Sequence, residues 1–271
     1  ALSGLCVFVV NYIDRYMLRY YSTVQDVGIY TLGYQCGMVI MTLYIRPIKS
    51  TWGPMFLSVQ THENAPAYYG RIVTYYCIAG GALFLFVSLF AREFVTVISP
   101  GEYLHAHTIV PLISCAYLIW GMRLFLDVGI QLKRKMLFNT MYLFGGALAN
   151  VLLNMVLIPP FGIGGAACAT LISFTVMTVI SFVINRRFIS VPYEYRRIGT
   201  VILVTGALFS AGVLVAPKRI YTTIAYKLLC ILLMPGTLYI IGFFTHEERR
   251  RVNVVARKCL PWLNTKEKND G

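Results

Sequence analysis

The sequence predicts an all-α, polytopic bundle of membrane-crossing helices, and three observations carry that expectation. Hydrophobic residues make up 58% of the 271 positions and charged residues only 13%, whereas a soluble domain carries about 25% charged residues. The mean hydropathy is +0.67. At about 20 apolar residues per crossing, the apolar content matches eight crossings. Disorder, a disulfide-stapled secreted domain and an ordinary soluble enzyme are excluded.

Hydropathy places the crossings near 2–20, 27–58, 71–91, 103–131, 136–158, 163–185, 198–216 and 224–244. The second and fourth exceed the thickness of a bilayer, which predicts tilt, kinks or extension beyond the lipid. Pro47 and Pro54 are expected to break the second, because proline removes a backbone donor and crowds the preceding turn. One set of loops and the tail collects Arg71, the cluster Lys133-Arg134-Lys135, and Arg186, Arg187, Arg196 and Arg197. It also collects Arg249, Arg250, Arg251, Arg257, Lys258, Lys266 and Lys268. The opposite side holds Arg19, Arg92, Lys218 and Arg219. Basic loops face the cytoplasm, so both ends of the chain are expected there. Lys227, near one end of its span, is expected to snorkel.

The seven cysteines form no C-x-x-C pair and read as small buried hydrophobes. No signal peptide is visible after Ala1, and the chain reads as a piece of a longer protein cut near the start of a span. The expected division is a six-helix lobe over 1–185, a basic cytoplasmic loop over 186–197, two accessory helices over 198–244, and a basic tail over 245–271.

Charges at bilayer depth cost at least about 2.5 kcal/mol and face a protein interior or a wet cavity. Six stand out: Asp14 and Arg15, Arg46 and Lys49, and Arg123 and Asp127. Pairing neutralises two of the four cations and leaves two in search of an anion. Helical spacing sorts these groups onto faces: Asn11/Arg15/Arg19, then Thr42/Arg46/Lys49/Gly53, then Trp120/Arg123/Asp127/Gln131. A fourth stripe, Asn139/Tyr142/Gly146/Asn150/Asn154, is uncharged. A shared aqueous cavity accounts for all four stripes. Arg123 and Asp127 are also spaced for a purely structural pair, and Asp14 with Arg15 suits the outer end of a tilted helix. Arg46 and Lys49 have one sign and no acidic neighbour in sequence, which points to a visiting anion. Arginine offers a fork for phosphate oxygens and lysine a point charge, so a pyrophosphate is the expected guest of Arg15, Arg46, Lys49 and Arg123. Tyr34, Tyr117, Trp120, Asn150 and Asn154 are the candidate glycan contacts, since aromatic faces beside amides suit the mixed surface of sugars. Asp14 and Asp127 are candidates for a coupling proton or sodium ion.

Other signals are weaker. The string from Phe161 to Ala167 contains G-x-G-x-x-A, but it follows Pro159-Pro160 and no strand, so close helix packing explains it better than a dinucleotide. Gly33 and Gly37 form a similar small-residue pair. His105 and His107 have only Glu102 nearby, and a membrane-interface position is the expectation. Catalytic residues, a metal site, a cofactor and nucleic-acid binding are not expected.

Two strings suggest a family. Asn11-Tyr12-Ile13-Asp14-Arg15-Tyr16-Met17-Leu18, followed by Val27-Gly28-Ile29-Tyr30 and Tyr34, resembles the opening of the C-terminal lobe in polysaccharide exporters of the multidrug/oligosaccharidyl-lipid/polysaccharide superfamily. Phe161-Gly162-Ile163-Gly164-Gly165-Ala166-Ala167-Cys168-Ala169-Thr170 resembles that lobe's fifth-to-sixth helix junction. The resemblance implies two pseudo-symmetric six-helix lobes, of which this chain is the second, with helices thirteen and fourteen. It implies a flippase, not an enzyme, moving undecaprenyl-pyrophosphate-linked oligosaccharide across the bacterial inner membrane for O-antigen, capsule or exopolysaccharide synthesis. Its implied partners are that lipid-linked oligosaccharide, the bilayer, the missing N-terminal lobe, a polysaccharide polymerase and a chain-length regulator. A multidrug cation antiporter of the same superfamily would call for an acidic excess at membrane depth. A membrane glycosyltransferase or polymerase would call for large outer loops bearing catalytic groups.

Overall fold

The computed structural model describes residues 2–59, 64–99, 101–135, 137–215 and 220–243, together with Glu248. Among them every regular element is helical. Six helices are long and apolar enough to cross a membrane, and the molecule is a polytopic all-α membrane bundle. The tail arginines and lysines, Lys218, Arg219 and Cys259 lie outside the described residues.

α1 (Leu2–Tyr21) buries Cys6, Val10, Asp14 and Leu18, spaced four apart on one face, against the bundle. The next element starts at Val24, three residues earlier than hydropathy suggests, because Thr23 caps it. The Thr23 hydroxyl accepts from the Asp26 amide at 3.2 Å, and the Asp26 carboxylate accepts from the Thr23 amide at 3.2 Å. This reciprocal box satisfies two of the free amides at a helix start. α2 (Val24–Ile40) continues without a break through a π-helical turn (Met41–Ile45) into α3 (Arg46–Val59). The expectation that Pro47 and Pro54 divide this span is corrected. Pro54 lies inside α3, and the wider π turn just before Pro47 accommodates its ring and missing donor.

α4 (Ala65–Leu89) begins earlier than expected and takes in Arg71, which therefore sits on a helix and not in a loop. A short α5 (Ala91–Ile98) and a 3-10 turn (Glu102–Thr108) lead into α6 (Val110–Leu126). α6 stops at Asp127, and α7 (Val128–Leu132) follows it.

α8 (Leu137–Asn185) spans 49 residues, which at 1.5 Å per residue is about 73 Å of helix, more than twice a bilayer core. It is two limbs folded at Gly162, whose φ of 54° and ψ of −129° suit a residue without Cβ. A Cβ on Gly165 would collide with the Leu157 carbonyl, and one on Gly146 with Met177. The limbs therefore run antiparallel in close contact, as the small residues of the junction suggested. Between helices in lipid, such close approach replaces the hydrophobic driving force that operates in water. Gly33 and Gly37 do the same for α2, meeting Ile109 and Ile113 at the start of α6.

α9 (Tyr195–Leu214) and α10 (Ile220–Ile240) pack on the outer side of α4 through Leu85, Leu89, Val201, Met234 and Leu238. Lys227 is not a snorkelling residue. It is buried on α10 and donates to the Glu93 carboxylate of α5 at 2.5 Å. A short α5 with a single carboxylate left no periodic signal in the sequence.

Candidate functional site

The described residues enclose a cleft of about 490 Å³ between α1, α2, α6 and α8. α1 supplies Asn11, Tyr12 and Arg15 to its walls. α2 supplies Thr31, Tyr34, Gln35 and Met38, spaced so that they share one helical face. Arg46 enters from the start of α3 just after the π turn, Tyr117 and Trp120 from α6, and Leu143, Phe174 and Met177 from α8. Among the described residues two arginines and no carboxylate line this space.

Arg15 sits in an aromatic box. Its guanidinium carbon lies 4.4 Å from the Tyr34 ring centre, 5.5 Å from Tyr12 and 5.7 Å from Tyr30. One nitrogen donates to the Asn11 carbonyl at 2.5 Å and approaches the Asp14 carboxylate at 3.3 Å. Asp14 is wholly buried behind the wall, where it also accepts from the Arg15 amide at 2.8 Å and from the Tyr30 hydroxyl. Thr170, on the second limb of α8, stands beside Tyr30. Side chains and backbone of two helices, α1 and α2, thus fix one guanidinium. Tyr34 is oriented in turn by its hydroxyl, which donates to Asn11 at 3.3 Å and accepts from Tyr117 at 2.8 Å.

Arg46 is exposed to the cleft and, with the equally exposed Lys49, has no ion pair or hydrogen bond to any described residue. Lys49 is not in the cleft wall. The π turn holds more residues per turn than an α-helix, so the four residues from Thr42 to Arg46 fall short of one full turn, and of the stripe read through Thr42, Arg46, Lys49 and Gly53 only Arg46 lines the cleft.

Arg123 is buried behind the wall formed by Trp120 and Met177. Its guanidinium lies 4.5 Å from the Tyr142 ring centre and 5.3 Å from Trp120, and donates to the Tyr142 hydroxyl at 3.3 Å. It makes no direct ion pair with Asp127. Tyr142 stands between them and donates to Asp127 at 2.5 Å, while Ser181 donates to the other carboxylate oxygen. Arg123 Nε has no partner.

Asn150 and Asn154 are fully buried and lie outside the cleft wall. Of the stripe that carries them, Tyr142 bonds to Arg123 and Asp127, Gly146 meets Met177 on the other limb of α8, and Asn154 donates to the Asn150 carbonyl at 2.9 Å. The expected meeting of four polar faces in one chamber is corrected on this point. Asn150 Nδ2 and Asn154 Oδ1 have no partner.

The structure therefore brings Arg15, Arg46, Tyr34, Tyr117 and Trp120 together, with Asp14 and Arg123 immediately behind, and leaves Lys49, Asn150 and Asn154 apart. Tyr12, Thr31 and Gln35 were not singled out from sequence, although Thr31, Tyr34, Gln35 and Met38 carried the spacing that finds them. Tyr30 and Tyr142 act as bridges between helices, for which one sequence gives no signal.

No family model matches the chain, and no solved structure gives a significant match. A probable low-salt glycan biosynthesis flippase of Haloferax volcanii is 22% identical over 222 residues, covering 81% of this chain and 46% of that protein. The chain spans about half the length of the curated relative that it matches.

Proposed function

We propose that this chain is one lobe, with two accessory helices, of a flippase that carries pyrophosphate-linked oligosaccharides on a polyprenyl lipid across a membrane. The observation that carries this reading is the charge of the cleft: two arginines in an aromatic wall with no carboxylate among its lining residues. Such a wall favours an anion over a cation. Arg15 supplies a preoriented fork and Arg46 an exposed charge with no ion pair among the described residues, and charge-assisted bonds to phosphate oxygens are the strong kind. Tyr34, Tyr117 and Trp120 are the glycan contacts in this account. Arg123 joins the anion when Trp120 and Met177 move, and Lys49 engages it from outside the cleft as the lipid enters. Asn150 and Asn154 act as the polar lining of the α8 hairpin. Asp14 and Asp127 are the positions for a coupling proton or sodium ion. An ionised Asp14 competes with the cargo for Arg15, so neutralising it strengthens cargo binding.

A low-identity match to a glycan flippase supports the same reading. On it, residues 1–185 form the lobe and 198–244 the accessory pair. Both ends face the cytoplasm, and rocking against an N-terminal lobe exposes the cleft alternately. The lipid is undecaprenyl pyrophosphate in a bacterial inner membrane, the product O-antigen, capsule or exopolysaccharide. A polymerase and a chain-length regulator act downstream.

The test is export in cells that carry the full-length protein. Arg15→Ala with Arg46→Ala abolishes surface glycan while membrane insertion stays at the parental level. Normal surface glycan in that double variant contradicts the proposal.

A further inference from the structure

The exposed face of α1 carries an aromatic stripe of which the cleft uses only Tyr12. Phe8, Tyr12, Tyr16 and Tyr20 are four residues apart, and Tyr12, Tyr16 and Tyr20 are 48%, 68% and 81% exposed. They lie opposite the buried face of Cys6, Val10, Asp14 and Leu18. We propose that Tyr12, Tyr16 and Tyr20 form a second binding surface, a track on which the sugar rings of the cargo stack as its glycan runs out of the cleft. This rests on the reading of the cleft as the pyrophosphate site.

Three observations select a glycan as the occupant. The stripe is continuous with the cleft, because Tyr12 belongs to both. A volume of about 490 Å³ is that of a pocket for one drug-sized molecule, at the lower part of the usual range of about 300–1,000 Å³, so a pyrophosphate with several sugars overruns it. The stripe is also unsuited to acyl chains. Arg15 and the exposed Arg19 flank it, and lipid tails do not solvate guanidinium groups. An interfacial belt gathers tyrosines at one depth, whereas Tyr12 to Tyr20 climb about 12 Å along one face. Each ring offers a flat apolar surface to sugar C–H groups, and each hydroxyl, unpartnered among the described residues, is free for a sugar hydroxyl.

The experiment uses the full-length protein in liposomes and two fluorescent polyprenyl-pyrophosphate probes, one bearing a monosaccharide and one a tetrasaccharide. Tyr16→Leu with Tyr20→Leu raises the apparent KM for the tetrasaccharide probe roughly tenfold, a change of about 1.4 kcal/mol, and leaves the monosaccharide probe at the parental value. Tyr16→Phe with Tyr20→Phe, which keeps the rings, retains most tetrasaccharide transport. Equal behaviour of the two probes in the leucine variant, whether unchanged or equally reduced, overturns the track and assigns the stripe to lipid or to lobe packing. Transport of neither probe by the parent overturns the cleft reading, and the track with it.

Discussion

Arg15 and Asp14 show how one residue's environment sets what its neighbour can do. The guanidinium is 19% exposed and the carboxylate fully buried, so the pair contributes orientation more than net stability, since desolvation offsets much of the Coulomb gain. Removing one partner is another matter. Asp14→Ala leaves Arg15 and the Tyr30 hydroxyl facing a vacant space, and the expected cost is about 3 kcal/mol, read as a lowered thermal midpoint of the purified full-length protein. An unchanged midpoint would show that Asp14 is not part of the scaffold. At this scale the sequence picked out the charged residues set within apolar stretches but not how they connect. Arg123 and Asp127 have the spacing of a direct pair, and the Tyr142 hydroxyl from another helix enters between them. Helical periodicity reports only neighbours on one helix, so a bridging residue from α8 was invisible.

The α8 hairpin carries the clearest prediction about elements. At Gly165 a Cβ meets the backbone of Leu157 and Ile158, which cannot swing aside, whereas at Gly164 nothing lies within 4 Å. Gly165→Ala is expected to cost about 1–3 kcal/mol through overpacking. Gly164→Ala should stabilise by up to about 1 kcal/mol, because alanine favours the helix. Chemical unfolding of the two variants side by side checks this, and equal stabilities would mean that the limbs do not pack as described. Pro159-Pro160-Phe161-Gly162 announced this turn in the sequence. The capping box at Thr23, though equally local, was overlooked under hydropathy alone, and α2 accordingly starts earlier than expected. The prolines of the second span misled in the opposite direction. The cost of Pro47 is absorbed by a π turn that preserves the helix and precedes Arg46 in the cleft wall, and Pro54 is carried inside α3.

For the whole molecule, the positive charge carried by α1, α3 and α6 is distributed unevenly. Asp14 engages Arg15, Tyr142 connects Asp127 to Arg123, and Arg46 and Lys49 remain without a charged partner among the described residues. Six helices among the described residues are long and apolar enough to cross a membrane, and the polytopic all-α bundle was legible from composition and hydropathy. The split between Arg46 inside the cleft wall and Lys49 outside it was not, because it depends on a helix that changes its winding between residues 41 and 45. The most direct measurement is binding of a fluorescent polyprenyl-pyrophosphate oligosaccharide to the full-length protein in nanodiscs, comparing Arg15→Ala, Arg46→Ala and Lys49→Ala. Loss of a charge-assisted phosphate contact is worth about 1.5–3 kcal/mol, so Arg15→Ala and Arg46→Ala should each weaken binding by roughly tenfold or more, and Lys49→Ala should weaken it least. Parental affinity in both arginine variants would contradict an anion-binding cleft.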